Sequence, residues 1–141
     1  MKVLTMAAAV VGVLALSACA AGGSKNNFGA TLSGANEVPP VTTSATGSAT
    51  ITLNRSTKQL TVNGTFSGMT IGGPGAHIHG PAAKNANGPI VANLTFDNTA
   101  RTFSANVTLT DEQISHLEMG MLYINLHSAT FPSGEIRGQI E

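Results

Sequence analysis

Polar and apolar residues alternate with period two through much of the chain, which is the pattern of half-buried strands. In "ATITLN", 49–54, Ile51 and Leu53 share one face while Thr50, Thr52 and Asn54 take the other. "NRSTKQ" then supplies turn residues, and "LTVNGTF" turns Leu60, Val62 and Phe66 inward around Gly64, a position suited to a bulge or a close approach. "PIVANLTF" and "RTFSANVTL" flank "DNTA" as a hairpin, with Phe103, Ala105, Val107 and Leu109 on one side. "FGATLSG" predicts a first strand, and "EVPPV" an edge strand, because proline cannot donate to a ladder. "MLYINLH" and "EIRGQI" close the chain as two further strands. One short segment has helical signals: Thr110 can cap it, Asp111 and Glu112 sit in its first turn, Ile114 and Leu117 can pack down, and Gly120 can end it. Seven or eight short strands with one helical turn predict an all-β antiparallel sandwich or flattened barrel.

The polar positions of the last two strands carry the chemistry. With Leu122, Ile124 and Leu126 in the core, Tyr123, Asn125 and His127 take the opposite face. With Ile136 and Ile140 inward, Glu135, Arg137 and Gln139 join that same face. If "SATFPSG" is a hairpin loop, His127 pairs with Glu135, Asn125 with Arg137, and Tyr123 with Gln139. A second polar focus is "GAHIHG", 75–80. Extended backbone sends His77 and His79 to one side, roughly 6–7 Å apart, with Ile78 opposite. Two such rings can share a metal ion at nitrogen distances near 2 Å, and a third ligand is then wanted. His127 is the natural third, with Glu135 placed to hold its other ring nitrogen; His116, on the helical turn, is a weaker candidate. The competing reading makes these imidazoles loop struts that bond backbone and never meet a metal. Asn125, Glu135 and Arg137 read as a structural polar network, and Tyr123 as a packing residue with a wet hydroxyl.

The amino terminus adds a location. Lys2 precedes an apolar stretch, 3–16, too short for a stable membrane span, and it ends in Leu16-Ser17-Ala18-Cys19. That tetrad resembles the bacterial lipobox, which implies a signal peptide over 1–18, a lipid on Cys19, and a small, polar tether over 19–27 before the domain at 28–141. Ala20 after the cysteine points to the outer membrane or cell surface, facing periplasm or exterior. Cys19 is the only cysteine, so the domain has no internal disulfide. Without Lys2, six basic and seven acidic residues remain, which removes the electrostatic case for nucleic acid. No Gly-x-Ser-x-Gly elbow, phosphate-cradling loop or paired carboxylates support nucleophilic, nucleotide or glycoside chemistry.

"LSGANEVPPV", "ATGSATITL", "AHIHGPA", "NGPIVANL" and "GMLYINLHSATFPSGEIRGQI" follow one another in an order and spacing that resemble the CHRD domain, over about 28–141. Asn125-Leu126-His127-Ser128 stands where that pattern usually has Asn-Val-His-Thr. The resemblance implies an immunoglobulin-like β-barrel. Separately, "LTVNGTFSGMTIGGPGAHIHG" is similar to a stretch of copper/zinc superoxide dismutases whose two histidines bind copper. That similarity implies copper, rather than zinc, on His77, His79 and His127, with Arg137 echoing an anion-guiding arginine. The bridging and zinc ligands have no counterpart, since no histidine lies between 80 and 115. Three functions follow as expectations: metal capture, storage or redox protection; a non-catalytic module docking a protein or polysaccharide on its polar face; or a copper-only dismutase.

Overall fold

The computed structural model describes residues 24–141; the expected signal peptide 1–18 and Cys19 lie outside the described residues. Alternation becomes nine antiparallel strands in chain order: β1 (Asn27–Ser33), β2 (Thr46–Asn54), β3 (Gln59–Ser67), β4 (Ala76–His79), β5 (Ile90–Asn93), β6 (Thr95–Asp97), β7 (Thr102–Thr108), β8 (Tyr123–Leu126) and β9 (Ile136–Gln139). They form one sheet in the order β5-β4-β8-β9-β1-β2-β3-β7-β6. Its two edge strands, β5 and β6, are consecutive in sequence and separated only by Leu94. The sheet therefore folds round until its ends nearly meet, the flattened barrel or sandwich that the patterning predicts.

Two local expectations need correction. "PIVANLTF" is not one strand: the chain crosses between edges at Leu94, whose N–H bonds the Ala76 carbonyl, so β5 pairs with β4 while β6 pairs with β7. "EVPPV" is not an edge strand. A 3₁₀ turn at Gly34–Asn36 lifts the chain off β1, and 37–41 runs on as a strap. The residues just before Phe28 are tied to the domain. Arg55 on the β2–β3 turn donates to the Lys25 carbonyl and the Asn26 side chain, and Leu53 donates to the Asn26 carbonyl.

The core is aliphatic with a few phenylalanines, and β2 and β3 supply Ile51, Leu53, Leu60, Val62 and Phe66. Gly64 is a close approach rather than a bulge, because its register partner Phe103 lays its ring across the gap. A Cβ there would sit 2.1 Å from Phe103 Cζ. The helix α1 (Asp111–Glu118) carries β7 into β8, closed at its start by a capping box between Thr110 and Gln113, with Leu117 buried. No helix among the described residues is long and apolar enough to cross a membrane.

Strands β4, β8 and β9 differ from the rest because they are buried on both faces. Ile124, Leu126 and Ile136 face the core. The polar face, expected to look outward, is roofed by the 34–41 strap and the loop 80–89. That roof turns a polar surface into a polar layer.

Candidate metal centre

Register builds the centre. In β4, Ile78 is sunk in the core, which sends His77 and His79 together into the polar layer. β4 pairs with β8 so that His77 faces Asn125 and His79 faces Tyr123. His127 follows β8 directly; its N–H bonds the Gly75 carbonyl, while its own carbonyl accepts from Gly72. Antiparallel pairing thus puts His127 diagonally across from His77, although 50 residues separate them. The ring centroids lie 4.9 Å apart for His77 and His127, 5.4 Å for His77 and His79, and 6.2 Å for His79 and His127. One ligand nitrogen from each lies within 4.8 Å of the other two.

Backbone carbonyls set the tautomers. His79 Nδ1 lies 3.0 Å from the Gly88 carbonyl and His127 Nδ1 lies 2.9 Å from the Pro132 carbonyl. A carbonyl only accepts, so both rings carry their proton on Nδ1 and leave Nε2 as a lone pair. His127 Nε2 accepts from His77 Nδ1 at 3.1 Å. His79 Nε2 is buried and has no partner. Burial lowers the pKa of all three imidazoles. It is offset in part by the carbonyls of Pro74 at His77, Gly88 at His79 and Pro132 at His127, and each neighbouring imidazole acts with burial at His127. Neutral rings with one N–H held by a carbonyl and the other nitrogen bare are what a metal requires of histidine. Bonds near 2 Å need ligand nitrogens about 3.3–3.5 Å apart; the His77–His127 contact at 3.1 Å is of that order, and His77 has to shift its proton to Nε2 for Nδ1 to bind.

Of the other expected residues, Asn125, Arg137, Tyr123 and Gln139 pair across β8 and β9 as the hairpin register requires. Asn125 and Arg137 sit in a buried polar network, as read from the sequence, but other roles differ from expectation. Glu135 does not hold His127. The turn after Ser128 folds Pro132 back onto that ring, and Glu135 instead accepts from the Thr43 hydroxyl at 2.7 Å. His116 stays on α1 and is not part of the cluster. Tyr123 is buried and lies nearly parallel to His79, with centroids 5.0 Å apart, and its hydroxyl accepts the Gly88 N–H rather than meeting water. Arg137 is 1 % exposed and cannot guide anions from solvent. Its guanidinium lies 3.6 Å from the Tyr123 ring centroid and donates to Asn87, the Ala83 carbonyl and Gln139. It anchors the loop whose Gly88 holds His79.

Sequence reasoning missed Glu37. The strap carries it into the layer, where both carboxylate oxygens accept the Asn125 amide, at 2.8 and 3.0 Å. Burial raises its pKa to about 7, against the lowering by Asn125 and Arg137. An acidic residue just before two prolines was the available signal, since such a segment cannot pair as an ordinary strand and must lie on something.

The fold and the cluster define a small antiparallel β-sandwich domain with a three-histidine centre capable of coordinating a metal ion. The chain belongs to the CHRD domain family, whose model matches residues 28–140. No curated protein matches the sequence.

Proposed function

We propose that the domain binds one metal ion, copper foremost, through His77, His79 and His127, for capture, storage or redox protection at a bacterial envelope to which Cys19 is lipid-anchored. The observation that carries the metal reading is the partnerless, buried Nε2 of His79, aimed among imidazoles whose donors lie within 4.8 Å. A loop strut would have no use for an orphaned lone pair, which costs about 1–3 kcal/mol when left unpaired. An imidazole donor set suits several first-row metals, among which copper(II) stands highest in affinity, and segment 60–80 is similar to a copper-binding stretch. The burial of Arg137, Asn125 and Glu135 speaks against that face as a docking surface or a charged entrance for superoxide.

Calorimetric titration with copper and zinc, beside the His77→Ala/His79→Ala variant, tests the reading. One-to-one, sub-micromolar binding that the variant loses supports it. Absence of binding in a folded wild-type chain overturns it. Tritiated palmitate incorporation in a bacterial host, lost in Cys19→Ala, tests the anchor.

A further inference from the structure

The donor set narrows the choice of ion, and this inference rests on the metal-site reading above. All three donors are neutral imidazoles, and no carboxylate or thiolate of the described residues joins the cluster. The two acidic groups of the layer are engaged elsewhere: Glu37 with the Asn125 amide and Glu135 with the Thr43 hydroxyl. The one cation of the layer, Arg137, stacks on Tyr123, which stacks on His79. His77 and His127 are each 6 % exposed and His79 is half-buried, so the ion would leave much of its hydration behind. The cost of that step grows with the square of the charge, about fourfold for a divalent over a monovalent ion of similar size. Divalent zinc in closed protein sites takes four ligands, usually including thiolates that cancel its charge; with three histidines it keeps a water.

From these observations we propose that the His77–His79–His127 site is selective for monovalent copper, held by three nitrogens, over zinc(II) and copper(II). Three neutral donors satisfy the coordination of a monovalent d¹⁰ ion and place only one positive charge in the layer. A divalent ion there would lack both a fourth protein donor and a compensating anion.

Asn93 offers a way to test the charge argument without disturbing the core. It is the register partner of His77 on the edge strand β5, and it is exposed. Cross-strand partners share a face, with Cβ atoms about 5 Å apart. Asn93→Asp therefore adds an anion beside the site on a surface position. The full chain is titrated anaerobically with copper(I) against a chromogenic chelator, and separately with zinc(II) and copper(II) against chelators of known affinity, for wild type and Asn93→Asp. The proposal expects wild type to bind copper(I) at least about a hundredfold more tightly than either divalent ion. It expects Asn93→Asp to narrow that gap about tenfold, the value of one extra unit of ion charge seen at short range through a partly wet interface. Equal affinity for zinc(II) or copper(II), or an unchanged gap in the variant, overturns the selectivity while leaving the metal site standing. No binding of any of the three ions by a folded wild-type chain overturns both.

Discussion

Replacing Glu37 by Gln should stabilise the metal-free protein in alkali and do little in acid. Glu37 is 5 % exposed, and burial carries its carboxyl pKa from 4.5 to about 7. The unfolded chain releases this proton near pH 4.5 and the folded chain holds it to about pH 7, so the folded state binds more protons between those values. Its stability is accordingly greatest, as far as this group is concerned, below pH 4.5, and is lost as pH rises through 7. The gap between 4.5 and about 7 is worth about 3 kcal/mol at pH 8 for a fully dry group. A groove beside the strap brings solvent to Glu37, and screening reduces the effect to about 1.5 kcal/mol. Glutamine keeps the shape and an oxygen for the Asn125 amide, but has no charge to bury. Urea unfolding at pH 8 should therefore give Glu37→Gln a midpoint about 1–1.5 M higher than wild type with the same slope. At pH 4 the advantage should fall below about 0.5 kcal/mol. A variant less stable than wild type at pH 8, or equally advantaged at both pH values, would refute the argument and make Glu37 a stabilising anion for Arg137.

The three imidazoles act in the opposite sense. Their lowered pKa values mean that the unfolded chain takes up protons the folded chain refuses, so metal-free stability should drop as pH falls below about 6.5, and thermal melts between pH 7 and 5 check it. Arg137→Met should cost about 3 kcal/mol by leaving the Asn87, Ala83 and Gln139 acceptors without their donor, and it should speed amide exchange in the 80–89 loop more than in β2 or β3. Gly64→Ala forces a methyl into the Phe103 ring and should cost about 2 kcal/mol in denaturant unfolding, whereas Gly120→Ala, whose Cβ meets open space, should cost only the strain of its positive φ.

Strand content was legible wherever apolar residues alternate with polar ones, whether the polar face meets water or a buried polar layer. Ile51 and Leu53 declare β2, and Leu122, Ile124 and Leu126 declare β8, because local alternation records which side each residue must take. The pairing of Asn125 with Arg137 was legible too, since a short loop leaves an antiparallel hairpin few registers. The roof over that hairpin was not. Nothing local to Glu135 or Arg137 says that residues 34–41 and 80–89 will cover them, so their face read as outward. The same limit hid Pro132 as the partner of His127, because a backbone carbonyl has no signature in the sequence. The break at Leu94 was hidden because nothing within "PIVANLTF" marks where the chain leaves one sheet edge for the other. The three histidines could be grouped from their faces. Their convergence needed β4 to lie beside β8, a neighbourhood set by the whole sheet.

The convergence itself is best tested atom by atom, by long-range ¹⁵N–¹H correlation NMR of the imidazoles before and after one equivalent of a diamagnetic ion, copper(I) or zinc(II). The account predicts that His79 and His127 of the metal-free protein are protonated at Nδ1 and bare at Nε2. It further predicts that the ion shifts both Nε2 resonances and a nitrogen of His77 together, leaving both Nδ1–H groups protonated and His116 unmoved. Unchanged spectra, an ion that shifts His116 instead, or Nε2–H tautomers at His79 and His127 would contradict it.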